Sequence, residues 1–393
     1  MKCTDEVLFK DVEVNITDID QALLNIDNKV RSNLFSWNGQ FSPQFIEVML
    51  NQYAEEGYRL YDPFVGSGTT LYECSRMGIE GIGMELNPSA YYMAKIYELS
   101  KFSIKDREDI IAKTQDIIDD ISNEDMIIET IVNEIKSNNN TKNILSLLII
   151  LMDIYKNKVT FKLLNDKWNN LKEIIMKIPF SEKEMKVILG DSRYSEIEGN
   201  SVDLVLTSPP YINVFNYHQN YRRSVEVLGY DVLKIARKEL GSNRKNRGNR
   251  FLTVVEYCID MSLTIRDMIR VGKEKSRFIL VVGRESNVLT LSFSNSELIY
   301  NICNDIFGLD FVIRQERVFK NRFGRMIYED ILHFKNNKIN YNSLSEEEII
   351  NKSRNIAKNM LKQKLKMVDD EYKNYELLVA AIDRADKVNK SEV

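Results

Sequence analysis

A glycine-rich turn framed by two acidic residues is the first feature of the sequence that could bind a ligand. The segment from Asp62 to Thr70, here called the glycine turn, reads Asp-Pro-Phe-Val-Gly-Ser-Gly-Thr-Thr and follows a strand predicted at 58–61. A Gly-x-Gly turn at a strand end lets a ligand approach the backbone closely. Glu85 lies 23 residues after Asp62, at the end of the next predicted strand, where an acid can accept hydrogen bonds from a ribose diol. The spacing indicates a nucleoside-containing ligand.

The same turn disfavours a dinucleotide as that ligand. A dinucleotide site carries a third glycine, in the pattern G-x-G-x-x-G, and places a pyrophosphate at the helix N-terminus. Here the third position is Leu71, and the carboxylate of Asp62 would repel a pyrophosphate. A cationic, zwitterionic ligand fits better, so the pattern favours S-adenosyl-L-methionine over NAD.

A third acidic position follows the strand predicted at 185–189. The sequence there is Gly190-Asp191-Ser192. An acid at the tip of this strand could accept a hydrogen bond from an adenine amino group, and an ordinary Gly-Asp turn is the alternative. Together with Asp62 and Glu85, the pattern favours the binding role for Asp191.

A second motif, here called the Pro-Pro motif, could hold a planar amine. The strand predicted at 202–206 runs into Thr207-Ser208-Pro209-Pro210-Tyr211. Two consecutive prolines stiffen the backbone and remove two N–H donors, which leaves carbonyl groups in fixed directions. A carbonyl and the Ser208 oxygen could then accept the two N–H bonds of an amine while Tyr211 stacks on its ring. A simple proline turn between strand and loop is the alternative.

These two motifs resemble those of the DNA amino-methyltransferases of restriction–modification and solitary bacterial systems. The resemblance covers roughly residues 30–100 and 185–335 and includes Phe41-Ser42-Pro43, which is similar to the family's segment that closes over the methionine end of the cofactor. It implies S-adenosyl-L-methionine as cofactor and a catalytic role for Ser208, Pro209, Pro210 and Tyr211. The cofactor-binding residues that it and the motifs predict are Phe41, Pro43, Asp62, Phe64, Gly66, Gly68, Thr69, Thr70, Glu85, Asp191 and Ser208.

In that family, the Ser-Pro-Pro-Tyr form is associated chiefly with enzymes that methylate N4 of cytosine, and Asp-Pro-Pro-Tyr with N6-adenine enzymes. Many N4-cytosine enzymes carry the two motifs in the reverse of the order found here. An N6-adenine DNA methyltransferase is therefore the first alternative. An RNA base amino-methyltransferase and a non-catalytic DNA-binding module that keeps the fold are further alternatives.

Direct transfer of the methyl group is the expected chemistry. Methylation at C5 of cytosine needs a cysteine nucleophile directly after a proline, and none of the six prolines here is followed by cysteine. The acceptors Ser208 and Pro209 would instead bend the amino nitrogen toward sp³ geometry, and its lone pair would attack the sulfonium methyl in line. A base paired in duplex DNA must first be flipped out of the helix.

Double-stranded DNA would have to be held by local basic surfaces, since the formal net charge of the chain is −4. Residues 212–275 contain 13 Lys or Arg against 7 Asp or Glu. A second basic cluster consists of Arg314, Arg317, Lys320, Arg322 and Arg325, against Glu316. A cognate restriction endonuclease or another subunit is a further partner that the resemblance allows. The predicted DNA-binding residues are Arg222, Arg223, Arg244, Lys245, Arg247, Arg250, Arg322 and Arg325.

The elements that position these motifs predict an α/β fold. Predicted strands at 58–61, 79–84, 185–189, 202–206, 278–282, 311–320 and 330–334 alternate with helices, which favours a doubly wound, mostly parallel sheet. The resemblance implies the Rossmann-like class I methyltransferase fold, with a helical insertion and a helical C-terminal tail. The predicted segments are 1–57, a helical N-terminal segment with the closing motif; 58–104, the cofactor-binding half; 105–180, the insertion; 181–335, the catalytic half with basic loops; and 336–393, the tail.

Composition narrows the remaining classes of protein. The four cysteines are scattered without C-x-x-C spacing, and neither His218 nor His333 has metal-ligand neighbours in sequence, so we expect no metal site. The charged N-terminus lacks the apolar core of a signal peptide. The longest apolar run, Ile144–Met152, is shorter than the roughly 20 residues of a membrane span. The sequence predicts a cytoplasmic protein without a membrane partner.

Overall fold

The computed structural model describes residues 9–137, 141–212, 216–241, 246–321, 324–339, 341 and 343–393. Its strands are β1 (Arg59–Asp62), β2 (Glu80–Glu85), β3 (Met185–Leu189), β4 (Val202–Thr207), β5 (Gly272–Gly283), β6 (Glu285–Val288), β7 (Leu291–Ser294), β8 (Asp310–Lys320) and β9 (Met326–Lys335). Its α-helices are α1 (Gln21–Asn25), α2 (Pro43–Tyr53), α3 (Thr69–Met77), α4 (Pro88–Lys95), α5 (Ile104–Asp119), α6 (Ile127–Ser137), α7 (Lys142–Met152), α8 (Phe161–Lys177), α9 (Arg222–Val227), α10 (Val232–Lys238), α11 (Leu252–Val271), α12 (Asn295–Asn301), α13 (Glu346–Leu365) and α14 (Tyr375–Arg384).

The described residues form two compact units. Those within 30–190 and 216–236 form one, here called the glycine-turn unit. Those within 1–29, 191–215 and 237–393 form the other, here called the Pro-Pro unit. Each unit has strands and helices of its own and contains one of the two motifs.

The glycine-turn unit contains three parallel strands in the order β3-β2-β1. In register, Asp62 at the end of β1 lies opposite Gly83, and Glu85 at the end of β2 lies opposite Leu189. Helix α3 follows β1, and α4 follows β2 after an Asn87 cap and Pro88 at the first helical position, where proline costs no hydrogen bond. The carboxyl ends of the strands therefore lie on the same edge as the helix N-termini, where ligands bind in open α/β sheets.

The insertion of the glycine-turn unit consists of helices α5 to α8 in its described part. Helix α5 begins at a capping box in which Ser103 and Asp106 satisfy each other's backbone N–H groups. The longest apolar run, Ile144–Met152, lies in α7, whose residues from Ile144 to Ile150 are all buried. Among the described residues, no helix is both long and apolar enough to span a membrane.

The Pro-Pro unit contains the strand order β4-β5-β9-β8, in which β4 and β5 are parallel and β9 is antiparallel to both of its neighbours. Helix α11 is buried along nearly its whole length, and helices α13 and α14 follow the last strand. Helix α13 begins at a capping box formed by Ser345 and Glu348. With β1 to β3, these elements confirm the prediction of a Rossmann-like, mostly parallel α/β fold.

The helical prediction for residues 1–57 is wrong for most of that segment. Between 9 and 57, the structure contains only the short helix α1, the helix α2 and one 3-10 turn at Phe9–Asp11. Residues 27–42 form no helix, and three of them, Asn33, Trp37 and Gln40, contact the glycine turn. The hairpin of β6 and β7 was also absent from the predicted elements.

A buried arginine joins the insertion to the rest of its unit. The Arg107 guanidinium of α5 donates to the carbonyl oxygens of Leu99 at 3.1 Å, Ser100 at 3.3 Å, Pro179 at 3.3 Å and also Ile178. The side chain is fully buried, and burial lowers its pKa. It thereby ties the carbonyl groups of Leu99 and Ser100, before α5, to those of Ile178 and Pro179, after α8.

We expect Arg107→Ala to lower the free energy of unfolding by about 3 kcal/mol or more, because several buried carbonyl groups would lose a charged donor. Lys105→Ala, which removes an exposed cation two residues away, should change stability by less than about 0.5 kcal/mol. Urea denaturation followed by circular dichroism measures both. Equal stability of the two variants would contradict the role given to Arg107.

Candidate active site

The glycine turn adopts a backbone conformation that only glycine accepts easily. Gly66 has φ +54° and Gly68 has φ +89°, both in the left-handed region. A Cβ atom at Gly68 would lie 2.6 Å from the Tyr97 ring and 2.9 Å from the Ala94 Cα. Gly68 therefore allows the N-terminus of α3 to pack closely against Ala94 of α4 and against Tyr97.

Asp62 lies beneath this turn and is 1% exposed. One carboxylate oxygen accepts the backbone N–H of Phe64 at 3.1 Å, and the other accepts the Thr70 hydroxyl at 2.6 Å. The carboxylate thus ties the start of the turn to the first turn of α3. Its predicted contact with the cofactor stays a prediction, and the structure adds an internal role that spacing did not reveal.

Glu85 pins the turn from the neighbouring strand. Its carboxylate accepts the N–H of Gly66 at 3.0 Å and the N–H of Asn87 at 2.8 Å. Burial, partly offset by these hydrogen bonds, raises the pKa of Glu85 to about 7. A carboxylate at the end of β2, held at the edge of the turn, is suited to accept hydrogen bonds from a diol.

The stretch before α2 covers the glycine turn through side chains that the sequence analysis did not single out. Residues 30–42, here called the arm, place Asn33 at 2.8 Å from the Thr69 hydroxyl and Gln40 at 2.8 Å from the Ser67 hydroxyl. Arg31 anchors the arm through ion pairs with Glu47 and with the fully buried Glu73. The predicted closing residues Phe41 and Pro43 are buried at the junction of arm and helix, where Phe41 stacks on Phe45.

An aromatic pair flanks the same turn. The Trp37 indole lies against Gly66, where a Cβ atom would be 3.3 Å from its Cδ1, and stacks on Tyr217 with ring centroids 5.9 Å apart. The carbonyl of Tyr217 accepts the side-chain amide of Asn87 at 2.9 Å. The rarity of tryptophan, with two in the chain, was the sequence signal that could have drawn attention to Trp37.

Asp191 belongs to the Pro-Pro unit and is engaged by a buried arginine. Arg193 donates to both Asp191 oxygens, at 2.9 and 2.6 Å, and also to Asp260 at 2.7 Å. It reaches the carbonyl of Ser391 at 3.0 Å as well, and so holds the last described segment. The adenine contact of Asp191 stays a prediction, and Arg193, two residues later in sequence, was a visible partner that the analysis did not weigh.

The Pro-Pro motif forms a small polar cluster with a carboxylate from a distant strand. Ser208 and Tyr211 are half-buried, and Ser208 Oγ lies 3.5 Å from the Tyr211 hydroxyl. That hydroxyl donates to Glu329 of β9 at 3.4 Å, and Glu329 accepts from Arg317 of β8 at 3.1 Å. Sequence reasoning did not find Glu329, since it lies 118 residues after Tyr211 in a strand without a motif.

The predicted DNA-binding residues have different surroundings. Arg223, Arg247, Arg250 and Arg325 are exposed, while Arg222 pairs with Glu226 at 2.8 Å along α9. Arg244, Lys245 and Arg322 lie outside the described residues.

Two members of the second basic cluster face inward, contrary to expectation. Arg314 pairs with the buried Asp330 at 3.0 Å, and Arg317 pairs with Glu329 at 3.1 Å. Their charges are compensated within the Pro-Pro unit, so they are removed from the candidate DNA-contacting set.

In the described parts of the chain, no group of three or more His, Cys, Asp or Glu residues could hold a metal ion. His333 is fully buried between Gln315 and Arg277, and burial lowers its pKa to about 3, so the ring is neutral. Cys74, Cys258 and Cys303 are buried thiols.

Part of the chain matches a known family of proteins. Residues 10–96, which contain the arm, the glycine turn and Glu85, match the N6/N4 methyltransferase family model described as "DNA methylase". Type II methyltransferase M.MjaII of Methanocaldococcus jannaschii is 32% identical over 97 residues, 24% of this chain and 18% of that protein. Type II methyltransferase M.BsoBI of Geobacillus stearothermophilus is 21% identical over 277 residues, 53% of this chain and 54% of that protein.

The chain thus spans about half, or less, of the length of these relatives. Overlap with solved structures is loose: a SAM-dependent methyltransferase from Methanosarcina mazei is 11% identical, with a TM-score of 0.35 over 73% of this chain and 96% of that one. The matched part of the chain is thus similar in sequence to DNA amino-methyltransferases.

Proposed function

We propose that this protein is a DNA methyltransferase that transfers a methyl group to the exocyclic N4 of cytosine in double-stranded DNA. The observation that carries the base assignment is the serine at position 208, before the two prolines, where the N6-adenine pattern has an aspartate. The family match and the Type II methyltransferase relatives support DNA as the substrate.

The residues of the glycine-turn unit fit the cofactor. Glu85 presents a carboxylate at the strand edge that can accept from two ribose hydroxyls, and Gly66 and Gly68 keep side chains away from the turn. Trp37 provides an aromatic face beside Gly66. When bound, S-adenosyl-L-methionine supplies an electrophilic methyl group.

The Pro-Pro motif would hold and activate the amino group. The Ser208 oxygen and the Pro209 carbonyl accept its two N–H bonds, which draws the nitrogen toward sp³ geometry and exposes its lone pair. Tyr211 supports the ring of the base, and stacking can return about 1–3 kcal/mol of the few kcal/mol spent on flipping. Positioning and fixed dipoles contribute most of the acceleration, since no covalent intermediate is formed.

The runner-up is methylation of N6 of adenine, because the two amino groups need the same pair of acceptors. Incubation of unmodified DNA with the protein and labelled cofactor, followed by digestion to nucleosides and mass analysis, separates the two. N4-methylcytosine is the expected product, and N6-methyladenine would reassign the target base.

Affinity for S-adenosyl-L-methionine should rise as the pH increases through about 7. The pKa of Glu85 is raised to about 7, so its carboxyl is largely neutral below that pH and a full acceptor for ribose hydroxyls above it. Glu85→Gln should bind about tenfold or more weakly and lose this pH dependence, because a charged acceptor contributes about 1.5–3 kcal/mol.

Isothermal titration calorimetry of wild type and Glu85→Gln over a range of pH tests the predicted pH dependence. Protonation of the ligand itself affects both proteins equally and cancels in the comparison. Glu80→Gln, at the start of the same strand, is the matched control and should bind as the wild type does, since Glu80 pairs with Arg59 away from the turn. Wild-type affinity in Glu85→Gln at every pH would remove the ribose assignment.

Tyr211→Ala should keep its affinity for the cofactor and lose most of its methyl transfer, because it removes the support for the base only. Calorimetry and transfer of labelled methyl groups to DNA measure the two properties separately. Loss of cofactor affinity in a folded variant would assign Tyr211 to the cofactor pocket instead.

Simultaneous replacement of Arg244, Lys245, Arg247 and Arg250 by alanine should weaken DNA binding on every sequence. If these side chains contact phosphates, the slope of log affinity against log salt should fall by about 0.9 for each contact. Fluorescence anisotropy of labelled duplexes measures the slope. An unchanged slope with a shifted sequence preference would mean that the segment contacts base edges.

A further inference from the structure

Glu329 is a buried carboxylate next to the Pro-Pro motif and within the same unit. It lies on β9, where it faces Gly283 of β5 on one side and Arg317 of β8 on the other. Its side chain is 13% exposed. Oε1 accepts the Tyr211 hydroxyl at 3.4 Å, and Oε2 accepts Arg317 Nη1 at 3.1 Å.

The place of Tyr211 in this cluster depends on a glycine. A Cβ atom at Gly283 would lie 2.8 Å from Cε2 and 2.9 Å from Cζ of the Tyr211 ring. Gly283 is the register partner of Glu329. The absence of a side chain at Gly283 therefore leaves room for the Tyr211 ring beside β5, where the Tyr211 hydroxyl can reach the Glu329 carboxylate. The packing of two strands thereby sets the position of the phenol.

The chemistry of the cluster gives its hydrogen bonds one direction. An ionised carboxylate can only accept, so the Tyr211 hydroxyl donates its proton to Glu329. The Tyr211 oxygen can then accept from Ser208, 3.5 Å away. A serine hydroxyl that donates its single proton to Tyr211 offers its remaining lone pairs to another donor. Long hydrogen bonds of this kind often tighten when the substrate binds.

We propose that Glu329 is a positioning residue that acts through Tyr211 to keep Ser208 as an acceptor toward the amino group of the substrate base, an inference that rests on the proposed function. A Ser208 proton turned toward the substrate would oppose an N–H donor. Arg317 supports the role because its charge favours the ionised form of Glu329.

Protonation of Glu329 should remove its influence on the orientation of the Ser208 hydroxyl. Burial raises the pKa of Glu329, while Arg317 from β8 and the Tyr211 hydroxyl from the loop after β4 lower it; β5 presents Gly283 at this point. A protonated carboxyl can donate to Tyr211 and release Ser208 from its orientation. The rate of methyl transfer should therefore fall as the pH drops through the pKa of Glu329.

The test is the single-turnover rate of transfer of tritiated methyl groups from saturating cofactor to amplified, unmodified genomic DNA, measured from mildly acidic to mildly alkaline pH. Glu329→Gln and Tyr211→Phe should each reduce the rate constant about tenfold to a hundredfold, the size expected for one hydrogen bond to a charged group. Both should lose the acidic fall in rate and keep wild-type cofactor affinity. The double variant should lose little more of the rate than either single variant, since both substitutions break the same series of hydrogen bonds.

Glu316→Gln, on β8 and paired with Arg284, is the control carboxylate and should keep the wild-type rate and pH profile. Tyr211→Phe retains the ring that packs on Gly283, so it tests the hydrogen bonds that join Glu329, Tyr211 and Ser208 even if Glu329→Gln fails to fold. Wild-type rates or an unchanged acidic fall in Tyr211→Phe would overturn the inference. No labelled DNA with the wild-type protein would overturn the proposed function and the inference with it.

Discussion

The hydrogen bond from the Gly66 N–H to the Glu85 carboxylate joins the end of β2 to the turn that follows β1. The arm is built on that turn: Asn33 contacts Thr69, Gln40 contacts Ser67, and Trp37 lies on Gly66. A turn with left-handed backbone at two positions has little stability of its own. Glu85 from one side and Asp62 from below hold it in the single conformation that these contacts require.

The same carboxylate that stabilises the turn is the candidate acceptor for the cofactor. Its pKa of about 7 reflects how incompletely two backbone N–H groups compensate for its burial. Hydroxyl donors from a ligand would add to that compensation. The same charged group thus stabilises the turn and is the candidate group for recognition of a ribose.

The strands could be predicted from the sequence because short segments with apolar residues end at an acidic residue, as at Asp62 and Glu85, or shortly before a proline, as at Pro209. The arm could not, because it lacks periodicity and takes its path from side-chain contacts with residues about 30 positions away, such as Asn33 with Thr69. At the site, spacing identified the acids but not their partners. Whether any residue of β9 reaches Tyr211 depends on strand register that no local pattern encodes.

The position of Trp37 also affects what the intrinsic tryptophan fluorescence of the protein can report. The chain has two tryptophans, and Trp168 is buried in α8, 1% exposed, with its indole N–H donated to Gln115 at 2.7 Å. Trp37 is partly exposed, stacked on Tyr217 and in contact with Gly66. A nucleoside placed on the glycine turn changes the polarity and the quenching partners around Trp37 and leaves Trp168 as a constant background. The intrinsic fluorescence of the unlabelled protein is accordingly a direct reporter of occupancy at this turn.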